Sequence, residues 1–191
     1  MQVFIMHVGS PGNIDIPYTV TQRRKLQEII DNIPEDAPER TYFETDQVLR
    51  NVFPTREFNC WGVPVRAEPS FNKTQAGDLV LILPTIGEGD GGIHQLGVIR
   101  AKCPVHCYEA SRILWPNTPN DRLYPFLFFF NTEIGFRSWP EFLADVDINE
   151  NWDPRGWYRR IAPARFKKWG NAAGYLKFLR EECGFRPLKS N

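Results

Sequence analysis

The sequence predicts an α+β protein, with a small curved β-sheet or barrel flanked by helices. Three observations carry this. Short runs of strand character open the chain and fill its centre, at Val3–Val8, Phe58–Val63, Leu79–Leu83, Gln95–Ala101 and Tyr124–Phe130. Helical patterning is confined to the stretch before residue 54 and the stretch after residue 138. A length of 191 residues without internal repeats suits one well-packed domain, 1–191, with a helical C-terminal extension from about 138 to 191.

Val3 to Val8 is compact and apolar, as a core strand should be, and breaks at the turn cluster Gly9-Ser10-Pro11-Gly12-Asn13. Thr21 is placed to cap a helix whose Leu26, Ile29, Ile30 and Ile33 share one face, with Pro34 after its end. Asp46 to Phe53 offers a second short helix, with Val48, Leu49 and Val52 inward and Pro54 as its stop. Phe58 to Val63 is a short strand bearing Trp61. Leu79 to Leu83 follows a Gly77-Asp78 turn, and residues 85–92 form a glycine-rich loop. Gln95 to Ala101 alternates in the manner of a barrel strand. Tyr124 to Phe130 (YPFLFFF) is too short and too aromatic for a helix and predicts a buried strand.

Ser138-Trp139-Pro140-Glu141 spells a capping box with proline in the first turn. Ala162 to Trp169 predicts a short helix. Asn171 caps a final one, with Ala172, Tyr175, Leu176, Leu179 and Cys183 inward, Gly184 as its stop and Phe185 as the accompanying apolar contact.

Four cysteines are too few and too scattered for a disulfide scaffold. Cys103-Pro-Val-His106-Cys107 lacks the second ligand pair zinc requires, so it reads as a strand end with small buried thiols, and no metal or cofactor is expected. With no apolar run long enough to span a bilayer and no leader, a cytoplasmic protein is expected. Net charge is zero but unevenly spread. The first 95 residues carry 8 basic against 13 acidic side chains and the remainder 15 against 10. The excess lies in Arg155, Arg159, Arg160, Arg165, Lys167 and Lys168, threaded with Trp152, Trp157, Tyr158 and Trp169. This composition suits a phosphate backbone, and equally a solvated helix face with buried rings.

The succession Trp61-Gly62-Val63, Gly77-Asp78-Leu79-Val80 and Gln95-Leu96-Gly97-Val98-Ile99, behind an N-terminal strand, resembles the PUA-like superfamily, with the EVE and YTH domains as the closest branches. The resemblance covers roughly Val3 to Phe130. In YTH domains two tryptophans from such segments cage a methylated adenine, and Trp61 and Trp115 (in Ile113-Leu114-Trp115-Pro116) hold similar places here. Gly62 stands where YTH domains carry serine. Related domains serve as recognition modules of modification-dependent restriction systems of the McrBC type. The resemblance therefore implies a reader of a modified base in nucleic acid, DNA favoured over RNA, with cleavage supplied by a nuclease or motor domain or subunit elsewhere.

The physics agrees with what the resemblance implies. A base stacked in a duplex cannot be read closely, so a reader takes single strands or flips the nucleotide out. Trp61 and Trp115, facing each other across one barrel end, would sandwich it for about 1–3 kcal/mol, and a buried methyl adds about 0.8 kcal/mol. Ser10, Asn13 and Asn59 would read its polar edge, with Gly62 beside them. Arg112, Arg122, Arg155, Arg159, Arg160, Lys167 and Lys168 would hold phosphates. Plainer roles stand beside these: Trp61 as a barrel plug, Trp115 as a cap on the core, Ser10 and Asn13 as turn formers. Two other functions remain open. One is a PUA-type RNA binder indifferent to modification. The other is an enzyme with Cys60 as nucleophile and His94 or His106 as base, which requires an activated thiol.

Overall fold

The computed structural model describes residues 1–8, 14–86, 91–119, 122–154 and 158–189. Its elements run β1 (Val3–His7), α1 (Ile16–Thr19), β2 (Arg24–Lys25), α2 (Leu26–Asn32), α3 (Arg40–Thr45), α4 (Gln47–Val52), β3 (Glu57–Val63), α5 (Glu68–Asn72), β4 (Leu79–Leu83), β5 (Gly92–Lys102), α6 (Tyr108–Leu114), β6 (Phe126–Ser138), α7 (Trp139–Asp145), β7 (Arg159–Ile161), α8 (Ala172–Glu181) and β8 (Arg186–Pro187), with 3-10 turns at Val65–Ala67 and Pro163–Trp169. The architecture is α+β, as the sequence predicts. Packing divides it into two compact units, one of residues 1–14, 77–98 and 132–191, the other of 15–76 and 99–131. Among the described residues no helix is long and apolar enough to cross a membrane.

In the first unit β1 lies parallel to β4, from Val3 opposite Leu79 to His7 opposite Leu83. Strand β7 is antiparallel to β1 on its other side, and β4 is antiparallel to β5. The Gly77-Asp78 step has a double cause. Gly77 adopts φ +91°, a conformation that suits glycine, and Asp78 then accepts a hydrogen bond from the Gln2 amide at 2.7 Å, fixing where β1 begins. One sheet face, with Val3, Ile5, Leu79 and Leu81, is covered by Phe142, Phe166, Tyr175 and Leu179 from the C-terminal helices and 3-10 turn.

Those helices start where the sequence places their caps. Ser138 and Glu141 form the capping box of α7. Asn171 accepts hydrogen bonds from the amides of Ala173 and Gly174 to open α8, Gly184 takes φ +75°, and Phe185 is fully buried. Arg137 grips the buried carboxylate of Asp145 through two hydrogen bonds of 2.8 Å, and Tyr175 donates a third at 3.2 Å, so this inward charge is neutralised. The stretch 163–169 is a 3-10 turn rather than an α-helix.

In the second unit β3 pairs antiparallel with the first part of β6, from Asn59 opposite Phe130 to Val63 opposite Phe126. The YPFLFFF run is buried on both faces: Leu127, Phe128, Phe129 and Phe130 are inaccessible. Phe58 and Phe43 meet the Phe129 ring edge-on, at 4.9 and 6.4 Å. Two expectations are corrected here. The helix expected from Thr21 begins at Leu26, because Arg24 and Lys25 are held as strand against Phe58 and Glu57. In α4, Asp46 does cap, accepting from the Leu49 amide, but Val48 is 59% exposed and Leu49 alone is buried.

Candidate nucleic-acid site

Trp61 sits in β3 opposite Phe128, and Trp115 closes α6. Ser111 in α6 positions two rings at once: its carbonyl accepts the Trp115 amide at 3.0 Å and its hydroxyl accepts the Tyr124 amide at 3.0 Å. Trp61, Trp115 and Tyr124 thereby form one cluster. The indoles meet edge to face with centroids 5.6 Å apart and planes at 66°. Tyr124 stacks on Trp61 at 5.8 Å and 29°, and meets Trp115 at 5.3 Å and 89°. Trp61 is 2% exposed and Trp115 fully buried.

In this arrangement the two tryptophans do not face each other across a slot. A sandwiched base needs parallel rings about 7 Å apart, twice the contact distance of stacked carbons. Here the rings touch each other at a steep angle. The indole N–H of Trp115 donates to the Thr19 hydroxyl at 3.2 Å, satisfying its buried polar atom.

Asn59 is also redirected. Its side-chain amide donates to the carbonyls of Thr19, Val20 and Gln22, at 3.3, 2.9 and 3.1 Å, and so pins the segment after α1 to β3 rather than offering an edge to a base. Gly62 is required by packing. A Cβ there would lie 2.5 Å from the Tyr124 carbonyl oxygen and 2.6 Å from the Tyr124 Cβ. That contact explains why glycine and not serine follows Trp61. Ser10 and Asn13 lie outside the described residues, as does Arg155.

The polar group that does reach the cluster is Asp15, which no sequence motif singles out. It is 1% exposed. Its carboxylate accepts from the Thr118 hydroxyl at 3.1 Å and from the Tyr124 hydroxyl at 3.3 Å. Burial raises its pKa above the ordinary aspartate value, and the two hydroxyl donors offset part of that rise. The Tyr124 hydroxyl is pushed up in turn, chiefly by burial and then by Asp15, while Arg122 and Arg66 pull it down. Both arginines are exposed.

The remaining basic residues divide by partner. Arg112 is ion-paired to Glu109. Arg160 donates to the Gln2 side chain at 2.9 Å. Lys168 donates to the Ala144 carbonyl at 3.1 Å and lies 4.9 Å from the Trp169 ring centre, and Arg165 reaches Asp147. Arg159 and Lys167 are exposed on β7 and the 3-10 turn. The enzyme alternative loses its nucleophile: Cys60 is fully buried, and burial pushes its thiol far above the ordinary range. His106 packs its ring edge-on to Phe126 at 4.8 Å, and His94 lies against Phe136 at 5.0 Å.

Comparison with solved structures finds the N-terminal domain of Thermococcus gammatolerans McrB bound to m5C DNA. It superposes with a TM-score of 0.60 over 94% of this chain and 98% of that one, at 16% sequence identity. This chain has the fold of that domain. The α+β class expected from the sequence is thus observed. Neither a family profile nor a curated protein sequence matches the chain.

Proposed function

We propose that this chain is a DNA-binding module that recognises a modified base, and that it receives that base, flipped from the duplex, at the Trp61–Trp115–Tyr124 cluster. The observation that carries the proposal is the fold shared along 94% of the chain with a domain bound to m5C DNA. The chemistry of the cluster supports the details. For a base to enter, the rings must part, which forfeits ring–ring contacts of about 0.5–1.5 kcal/mol each. Stacking the base on an indole returns about 1–3 kcal/mol, so the exchange is close to balanced and a buried methyl group of about 0.8 kcal/mol can tip it. Such a balance favours the modified base over the unmodified one, which is what a reader requires.

Asp15 supplies the edge contact. A carboxylate accepts from the exocyclic amino group of cytosine, and Tyr124 and Thr118 hold it in place. Arg66 and Arg122 take the flanking phosphates, with Arg159 and Lys167 contributing to the long-range attraction. In a modification-dependent restriction system, cleavage then belongs to another domain or subunit.

The test is a binding panel of duplexes carrying methylated adenine, methylated or hydroxymethylated cytosine, or no modification, with RNA of matched sequence beside them. Tighter binding to one modified DNA is expected. Equal affinity for every DNA, or a preference for unmodified RNA, contradicts the proposal.

A further inference from the structure

Cys103 and Cys107 bracket the loop Pro104-Val105-His106, and both ends of that loop are pinned. The Cys103 amide donates to the Leu127 carbonyl at 2.9 Å and the Cys107 amide to the Pro125 carbonyl at 2.8 Å. The two sulfur atoms are thereby brought to 2.7 Å, with the Cys107 thiol donating to Cys103. A disulfide bond is about 2.0 Å long, so these atoms stand within about 0.7 Å of bonding distance. Both residues are buried, yet Cys103 lines a cavity of about 120 Å³ together with Lys102, His106, Phe71 and Phe126. That volume exceeds the share of a water molecule, about 30 Å³, and admits a molecule as small as hydrogen peroxide.

We propose that Cys103 and Cys107 are a peroxide-reactive pair that closes to a disulfide. Cys103, which lines the cavity, attacks one peroxide oxygen. An S–O bond forms, the O–O bond breaks, and water leaves with the thiol's proton, giving a sulfenic acid. Cys107 then attacks that sulfur. The S–S bond forms, the S–O bond breaks, and a second water carries off the Cys107 proton. The two cysteines lose two electrons and the peroxide gains them. The bridge fastens the end of β5 to the start of α6, the helix that ends at Trp115. The inference stands independently of DNA binding.

The test uses the full chain, reduced and then exposed to hydrogen peroxide, denatured, alkylated and weighed. The expected result is loss of two hydrogens, two alkylatable thiols instead of four, a Cys103–Cys107 linkage in the peptide map, and reversal by dithiothreitol. In Cys107→Ser, Cys103 should halt at the sulfenic acid and be captured by dimedone. Four alkylatable thiols after treatment overturn the proposal, as does a bridge mapped to Cys60 or Cys183. If Cys107→Ser does not fold, the wild-type peptide map alone decides.

Discussion

The indole rings of Trp61 and Trp115 meet edge to face, with centroids 5.6 Å apart, and Tyr124 packs against both. These aromatics, well separated in sequence, therefore belong to one cluster, but in this arrangement they fill their own space. On the proposed function, a base that binds there exchanges ring–ring contacts for ring–base contacts, so Trp61, Trp115 and Asp15 would serve both stability and recognition.

Replacing Trp115 with Phe keeps a ring in the cluster but removes the N–H that donates to Thr19. Leaving the buried Thr19 hydroxyl without this donor should cost about 1–3 kcal/mol of stability, and the space left by the smaller ring adds to that. The smaller ring stacks less well than an indole, so binding of modified DNA should weaken, by less than the roughly 1–3 kcal/mol that loss of the whole ring costs. Denaturant unfolding and anisotropy titration check the two effects separately. Unchanged affinity in both Trp115→Phe and Trp61→Phe would remove the cluster from the binding site.

Asp15 gives a pH signature. Because burial raises its pKa, the fold holds the protonated carboxyl better than the unfolded chain does. The stabilisation is complete below the ordinary aspartate range and is lost as pH climbs through the raised value. Asp15→Asn, neutral throughout, should match wild type in acid and become the more stable protein towards neutrality. Melting temperatures measured between about pH 3 and 8 decide this. A constant gap across that range is inconsistent with a buried, raised carboxyl.

Gly62→Ala should destabilise the second unit by about 1–3 kcal/mol, the usual range for overpacking. The added methyl would stand 2.5 Å from a main-chain oxygen of Tyr124, which cannot rotate away. A midpoint in urea equal to that of wild type would mean that β3 and the Tyr124 segment are less tightly held than described.

How much was legible in the sequence depended on how far each signal reaches. The Ser138–Glu141 box and the Asn171, Gly184 and Phe185 boundaries are local chemistry, and the structure carries them out. The extension of β6 through Asn131–Ser138 was not legible. Its inward Glu133 and Arg137 look like loop residues until Arg180 and Asp145 arrive to pair with them. Thr21 looked like a cap because the strand partner that delays the helix, Glu57–Phe58, lies far along the chain. Asp15 was passed over for the same reason: Thr118 and Tyr124 lie 103 and 109 residues away. Trp61 and Trp115 could be named together, but whether they would face each other or touch depends on Ser111 and Tyr124, which no spacing rule connects.

The exposed cations report through salt. Arg159 and Lys167, if each neutralises one phosphate, contribute about 0.9 each to the slope of log K against log salt. The double alanine variant should therefore flatten that slope by about 2 and leave the ratio of modified to unmodified affinity unchanged. An altered ratio would place these residues near the base instead.

Base reading is decided by an equilibrium titration of the chain with two duplexes identical except for one methylated base, at one fixed salt concentration. A reader of modified bases binds the methylated duplex more tightly for at least one of the adenine or cytosine modifications, and that difference narrows in Trp61→Phe or Trp115→Phe. Indistinguishable curves for every modified and unmodified pair would contradict the account.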